Sequence, residues 1–319
     1  MIDDVAYADR VAGMMMGAAI GDALGSAFEF VSSENIEKAC GEPFVRDYRP
    51  AHDGSRLYPR APGQPTDDTA MALSVAKTLY FHAFPTAKEF AHGFLTDLDE
   101  HHGPYGDMFW KGGPGGATTK ALGRLRHGAD AATCGAPEDG GNGAAMRAHP
   151  IAILEHRSDV LRIAAVQARI THGHPAAVAA AQAVAVLVFD GIHGEPLSID
   201  VPSGVEEPTF LATWNAFHAD LTIVDGRLPK HLRDVGMSGW ETVAAAHAIV
   251  CCYATDLSTS IAAAAASGGD TDTIASIAGA IAGSQFVAGA LPERLISGLS
   301  ASDLVSGAIQ GLLGGIERE

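Results

Sequence analysis

Apolar residues recur at helical spacing over residues 11–30, 69–81, 117–126, 159–170, 176–189, 242–253 and 273–286. Strand-like alternation is nearly absent, so the pattern predicts an all-α chain. Pro175 stands where a first-turn proline is tolerated, and Gly191 and Gly194 follow the far end of the same Ala-rich run. Three segments lack a period: 41–65, the Gly-rich pair 103–116 and 135–143, and 194–239. Gly-rich loops among packed helices are where a ligand would lie.

Composition sharpens this picture. Apolar residues make up 47% of the 319 residues and aromatic ones only 7%, so the core is expected to be built from Ala, Val, Ile and Leu in closely packed helices. A net charge of −17 leaves no basic stripe for a phosphate backbone, and direct nucleic-acid binding is not expected. Four cysteines (Cys40, Cys134, Cys251, Cys252) lack framework spacing and read as reduced thiols, which suits the cytoplasm. The N-terminus is acidic where an export signal would be basic, and Asp22 and Glu29 interrupt its apolar stretch. The runs 176–189 and 274–291 barely reach or miss spanning length and read as core helices rather than membrane spans.

Two acidic motifs stand near opposite ends of the chain. Thr66-Asp67-Asp68-Thr69 opens one apolar helix, and Ser267-Gly268-Gly269-Asp270-Thr271-Asp272-Thr273 opens another. Either motif alone reads equally as an N-cap with acids in the first turn. Two of the same composition favour a shared site for hard cations, with carboxylate and hydroxyl donors suited to Mg²⁺ or Mn²⁺. Helical residues two apart point about 200° from each other, so Asp270 and Asp272 can face one ion only if the segment is still a turn there, a freedom that Gly268 and Gly269 supply. If the motifs share a site, residues 1–319 form one domain.

Asp22 and Glu29, seven apart, are expected on one helix face, with Asp22 capping a neighbouring loop and Glu29 freer to act on substrate. Small residues at Gly21, Gly25 and Ser26 allow a close helix–helix approach. The segments 111–119, containing Gly115 and Gly116, and 139–147, containing Gly141, Asn142 and Gly143, read as loops whose N–H groups could meet a diphosphate. His172 and His174 either bind a metal or decorate a loop. No His-Glu-x-x-His helix, Cys-x-x-Cys pair or Gly-x-Ser-x-Gly elbow occurs.

Together, Gly21-Asp22-Ala23-Leu24-Gly25 with Glu29, Thr66-Asp67-Asp68-Thr69, Gly141-Asn142-Gly143 with Met146-Arg147, Thr171-His172, and Gly268 to Thr273 resemble the ADP-ribosylglycohydrolase family in order and spacing. The similarity spans about residues 11–290. It implies a compact orthogonal helical bundle in a single domain, with a centre of two Mg²⁺ or Mn²⁺ held by Thr66, Asp67, Asp68, Asp270, Asp272 and Thr273. It implies that Glu29, Asp68 and Asp272 act in catalysis and that Gly115, Gly116, Gly141, Asn142, Gly143 and His172 bind the diphosphate and distal ribose. The implied reaction is hydrolysis of a glycosidic bond to ADP-ribose on a modified protein or small-molecule conjugate, N-linked to arginine or O-linked to serine. Other readings are a non-catalytic ADP-ribose binder and a metal-dependent phosphoester hydrolase. Asp139 and Gly140 depart from the family pattern, since an acid there opposes an anionic ligand unless it turns away. The arginines of segment 41–65 (Arg46, Arg49, Arg56, Arg60) have no place in the analogy.

Overall fold

The computed structural model describes residues 3–55, 60–286 and 288–315; Arg56 lies outside them. Among the described residues there are α-helices and no sheet, so the fold is all-α. In chain order they are α1 (Asp4–Gly25), α2 (Ser33–Cys40), α3 (Asp67–Phe81), α4 (Ala87–Asp97), α5 (Gly106–Gly112), α6 (Gly116–Arg126) and α7 (Arg157–Arg169). They continue with α8 (Pro175–Ile192), α9 (Pro208–Phe217), α10 (Gly239–Cys252), α11 (Leu257–Ala265), α12 (Thr271–Gln285), α13 (Glu293–Gly298) and α14 (Ser302–Gly315).

The pairing of α1 with α12 organises the site. Gly13, Gly17, Gly21 and Gly25 form a ridge at intervals of four along α1, and α12 lies directly against it. A Cβ on Gly17 would stand 2.5 Å from the Gly279 carbonyl oxygen, and one on Gly25 only 2.2 Å from that of Thr271. Backbones this close leave no room for side chains between them, which is why both helices are rich in Gly and Ala. The rest of the core follows the same rule: α8 and α10 bury mainly Ala and Val, and α11 mainly Ala. The helices Asp4–Phe28 and Pro175–Ile192 are long and apolar enough to cross a membrane, but their apolar windows are 94% and 78% buried inside the fold.

Two expectations change. First, α1 starts at Asp4, capped by Asp3, and ends at Gly25; a short 3-10 turn over Ser26–Phe28 follows. Glu29 therefore lies beyond the helix, in extended backbone, and does not share a helix face with Asp22. Second, segments without a legible period hold helices: α5 lies within 103–116 and α9 within 194–239. Segment 41–65 contains no helix among its described residues.

Candidate functional site

The start of α3 is held by Asp22, as expected of a capping acid. Its carboxylate accepts the Thr66 N–H at 3.1 and 2.9 Å, the Thr69 N–H at 3.1 Å and the Thr69 hydroxyl at 2.6 Å. Thr66 is the N-cap proper, its hydroxyl accepting the Asp68 N–H at 3.2 Å. With those N–H groups satisfied, Asp67 and Asp68 are not needed as caps and turn outward from the helix start. Asp68 Oδ2 is buried with no hydrogen-bond partner. Thr66 itself is fully buried and stands behind these carboxylates rather than on the cavity wall.

The second acidic motif faces the first. Gly268 and Gly269 adopt φ of +79° and +75°, a turn that side chains would strain. This turn is pinned on both sides: the Phe30 N–H donates to Gly269 O at 2.7 Å, and the Asp270 N–H donates to Val235 O at 3.0 Å. Asp270 keeps a non-helical ψ of 68° and α12 begins at Thr271, so Asp270 and Asp272 escape the opposed directions of a regular helix. Carboxylate oxygens of Glu29, Asp270 and Asp272 come within 4.8 Å of one another. The Asn142 amide donates to Asp270 at 2.5 Å and to the Thr242 hydroxyl at 3.2 Å, so Asn142 positions a carboxylate as well as lining the cavity. The Thr273 hydroxyl reaches Asp68 at 3.5 Å, joining the two motifs across 205 residues of sequence.

These groups wall a cavity of about 660 Å³, counting its open mouth. Its lining combines Glu29, Asp67, Asp68, Asp270, Asp272 and Thr273 with Gly113, Gly115, Gly116, Gly141, Asn142, Gly143 and His172, and with Met146 and Met237. Nothing stands within 4 Å of where a Cβ on Gly115 or Gly116 would be, so the start of α6 offers its backbone N–H groups to the opening. His172 is kept neutral, its imidazole pushed down to about 3 by burial and then by the Arg147 cation. Arg147 donates to the Thr171 hydroxyl at 2.7 Å, which lies 2.8 Å from His172 Nδ1. Asp139 does turn aside, 3.9 Å from the Arg124 guanidinium.

Burial pushes Glu29 up to about 11, with the charges of Asp272, Asp270 and Asp67 adding to the effect. Burial also holds Asp67, Asp68 and Asp272 well above the usual carboxylate range. Arg60, whose position the sequence did not suggest, is the buried cation that opposes this repulsion at Glu29, Asp22, Asp67 and Asp272. One of its nitrogens donates to Gly112 O, while Nε and Nη1 have no partner. A single guanidinium does not balance this many carboxylates.

The donor set suits hard divalent cations: every ligand atom is oxygen, and Glu29 Oε2 and Asp68 Oδ2 are buried without partners. Glu29, Asp67, Asp68, Asp270, Asp272 and Thr273 line the cavity and could hold them, with Thr66 at the cap of α3 beside them.

Residues 3–318 match the family description ADP-ribosylglycohydrolase. The chain is 32% identical to an uncharacterised protein of Archaeoglobus fulgidus over 89% of this chain and 90% of that one. It is 31% identical to the ADP-ribosyl-[dinitrogen reductase] glycohydrolase of Rhodospirillum rubrum over 58% and 59% of the two chains. It is 26% identical to the ADP-ribosylarginine hydrolase Tri1 of Pseudomonas putida over 95% of this chain and 78% of that protein. A solved ADP-ribosylglycohydrolase-related protein complex superposes with a TM-score of 0.70 at 25% identity, covering 97% of this chain and 98% of that one. Fold, acidic cavity and similarity along nearly the whole length agree: the chain belongs to the ADP-ribosylglycohydrolase family.

Proposed function

We propose that this protein is a metal-dependent hydrolase that removes ADP-ribose from a modified protein or small molecule by cleaving the glycosidic bond at the distal ribose. The observation that carries the reading is the convergence on one cavity of five buried carboxylates with glycine backbone and His172. Bound Mg²⁺ or Mn²⁺ would neutralise the carboxylates, orient sugar hydroxyls and supply Lewis-acid stabilisation. The start of α6 and the segment 141–143 suit the diphosphate, since unpaired N–H groups favour anions. With the Thr171 hydroxyl donating a hydrogen bond to His172 Nδ1, the proton of the neutral ring sits on Nε2, which can donate into the cavity.

Glu29 is the residue placed to move a proton. Its buried Oε2 faces no protein donor, and burial among carboxylates raises its pKa and so favours the protonated form that can donate. As water adds to the anomeric carbon, the bond to the arginine nitrogen or serine oxygen breaks, Glu29 gives a proton to the leaving group, and the proton that the water loses restores Glu29. The residues lining the cavity come from distant parts of the sequence, which supports a single domain over residues 1–319. The four cysteines are free, which accords with a reducing cytoplasm.

The test is to strip the protein with chelator, restore Mg²⁺ or Mn²⁺, and supply peptides carrying ADP-ribosyl-arginine or ADP-ribosyl-serine. Mass spectrometry should show release of intact ADP-ribose from one of them only when metal is restored. Full turnover in excess chelator, or cleavage within the diphosphate, would overturn the proposal.

A further inference from the structure

A second group of donor atoms lies away from the carboxylate cavity, where the end of α9 meets α10. His218 caps α9, and its Nδ1 lies 2.8 Å from the Trp214 carbonyl oxygen. A carbonyl only accepts, so Nδ1 carries the proton and Nε2 presents a lone pair. That Nε2 stands 2.8 Å from Nδ1 of His247 on α10. Cys251, one turn further along α10, places its Sγ 3.6 Å from His247 Nδ1 and 3.9 Å from Nε2. Donor atoms of all three residues lie within 4.8 Å of one another. Trp214 stacks on His218 at 4.3 Å and lies against His247 at 4.6 Å, which fixes the ring planes.

We propose that His218, His247 and Cys251 form a mononuclear Zn²⁺ site, separate from the carboxylate cavity, that ties the end of α9 to α10. Two imidazoles and a thiolate are a donor set that favours zinc over Mg²⁺. Tetrahedral zinc with nitrogens at about 2.0 Å and sulfur at about 2.3 Å sets N···S near 3.5 Å and N···N near 3.3 Å. The sulfur is near the first distance but lies beside the His247 ring, 3.9 Å from Nε2, so binding requires the Cys251 side chain to swing toward the Nδ1 lone pair. The imidazole pair opens by about half an ångström once the proton between its nitrogens leaves. The bond of His218 Nδ1 to a backbone carbonyl is the outer partner that a ligating imidazole commonly has. Binding releases one proton, from the thiol, while the His247 proton moves to its Nε2. Burial keeps His247 neutral and so available as a ligand. His247 is fully buried, whereas His218 and Cys251 are partly exposed, so an ion has a way in and water can take the fourth position.

The test uses the full chain, stripped of metal, held in excess Mg²⁺ and titrated with Co²⁺ as a spectroscopic stand-in for Zn²⁺. One equivalent should produce a thiolate-to-cobalt charge-transfer band, which oxygen ligands cannot give, and Zn²⁺ should abolish it. The band should vanish in Cys251→Ser and His218→Gln but persist in Cys252→Ser and Asp272→Asn. On the unmodified protein, saturating Zn²⁺ should slow alkylation of Cys251 by about tenfold or more and leave Cys40 unchanged, a result that does not depend on any variant folding. Absence of the band, its survival in Cys251→Ser, or unprotected Cys251 would reduce the cluster to a hydrogen-bonded chain and end the proposal.

Discussion

Asp272 and Glu29 lie in the same cluster yet should answer differently to substitution. Asp272 is buried among like charges, and its carboxyl is raised well above 3.8. A carboxyl raised on folding gives stability that is full below its unfolded value and is lost as pH rises through the folded one. Asp272→Asn removes that loss. In chelator, the variant should therefore withstand more urea than the parent at neutral pH, and the difference should shrink as pH falls toward 4. Its ion affinity should fall, so that added Mn²⁺ recovers part of the lost rate. Glu29→Gln should keep ADP-ribose binding, measured by calorimetry, while turnover slows by about 10²- to 10⁴-fold. Recovery of that rate to near the parent value by extra metal would make Glu29 a ligand rather than a proton carrier.

At the scale of elements, the glycine ridge of α1 is the most demanding feature. Gly21→Ala would bring a Cβ to 2.0 Å from the Ala275 carbonyl oxygen, and either helix must move. Overpacking of this kind costs about 1–3 kcal/mol. Gly307→Ala in α14, where nothing stands within 4 Å, should instead stabilise by about 0.5–1 kcal/mol through helix propensity. Urea midpoints of the two variants on opposite sides of the parent are the expected result. Much of this layer is legible in the sequence. Long helices such as α3, α8 and α12 announce themselves by period and caps, and the Gly268-Gly269 pair implies the turn that aims Asp270. The short α2, α5 and α13 do not, since so few turns establish no period, and α4, α9, α11 and α14 also lie outside the stretches whose apolar spacing is legible. Arg60 could not be placed from the sequence for a different reason. It lies in an irregular segment, and only the tertiary fold brings it beside the carboxylates.

For the molecule as a whole, buried histidines set the acid limit. Burial pushes His149 down to about 4 and His247 to about 3, from an ordinary 6.5. A base depressed on folding gives stability that is present above its unfolded value and lost as pH falls toward the folded one. The parent should therefore lose stability faster than His149→Gln between about pH 6.5 and 4, and comparing the two by urea melts cancels the contribution of the carboxylates. The contact between Asp68 and Thr273 across 205 residues also orders events during synthesis. Asp67 and Asp68 leave the ribosome long before Asp270 and Asp272 exist, so a nascent chain carries half a site with weak hold on an ion. On the proposed function, an ion would find its full set of carboxylates only once α12 has been made and docked onto α1, so it would follow that part of folding rather than nucleate it.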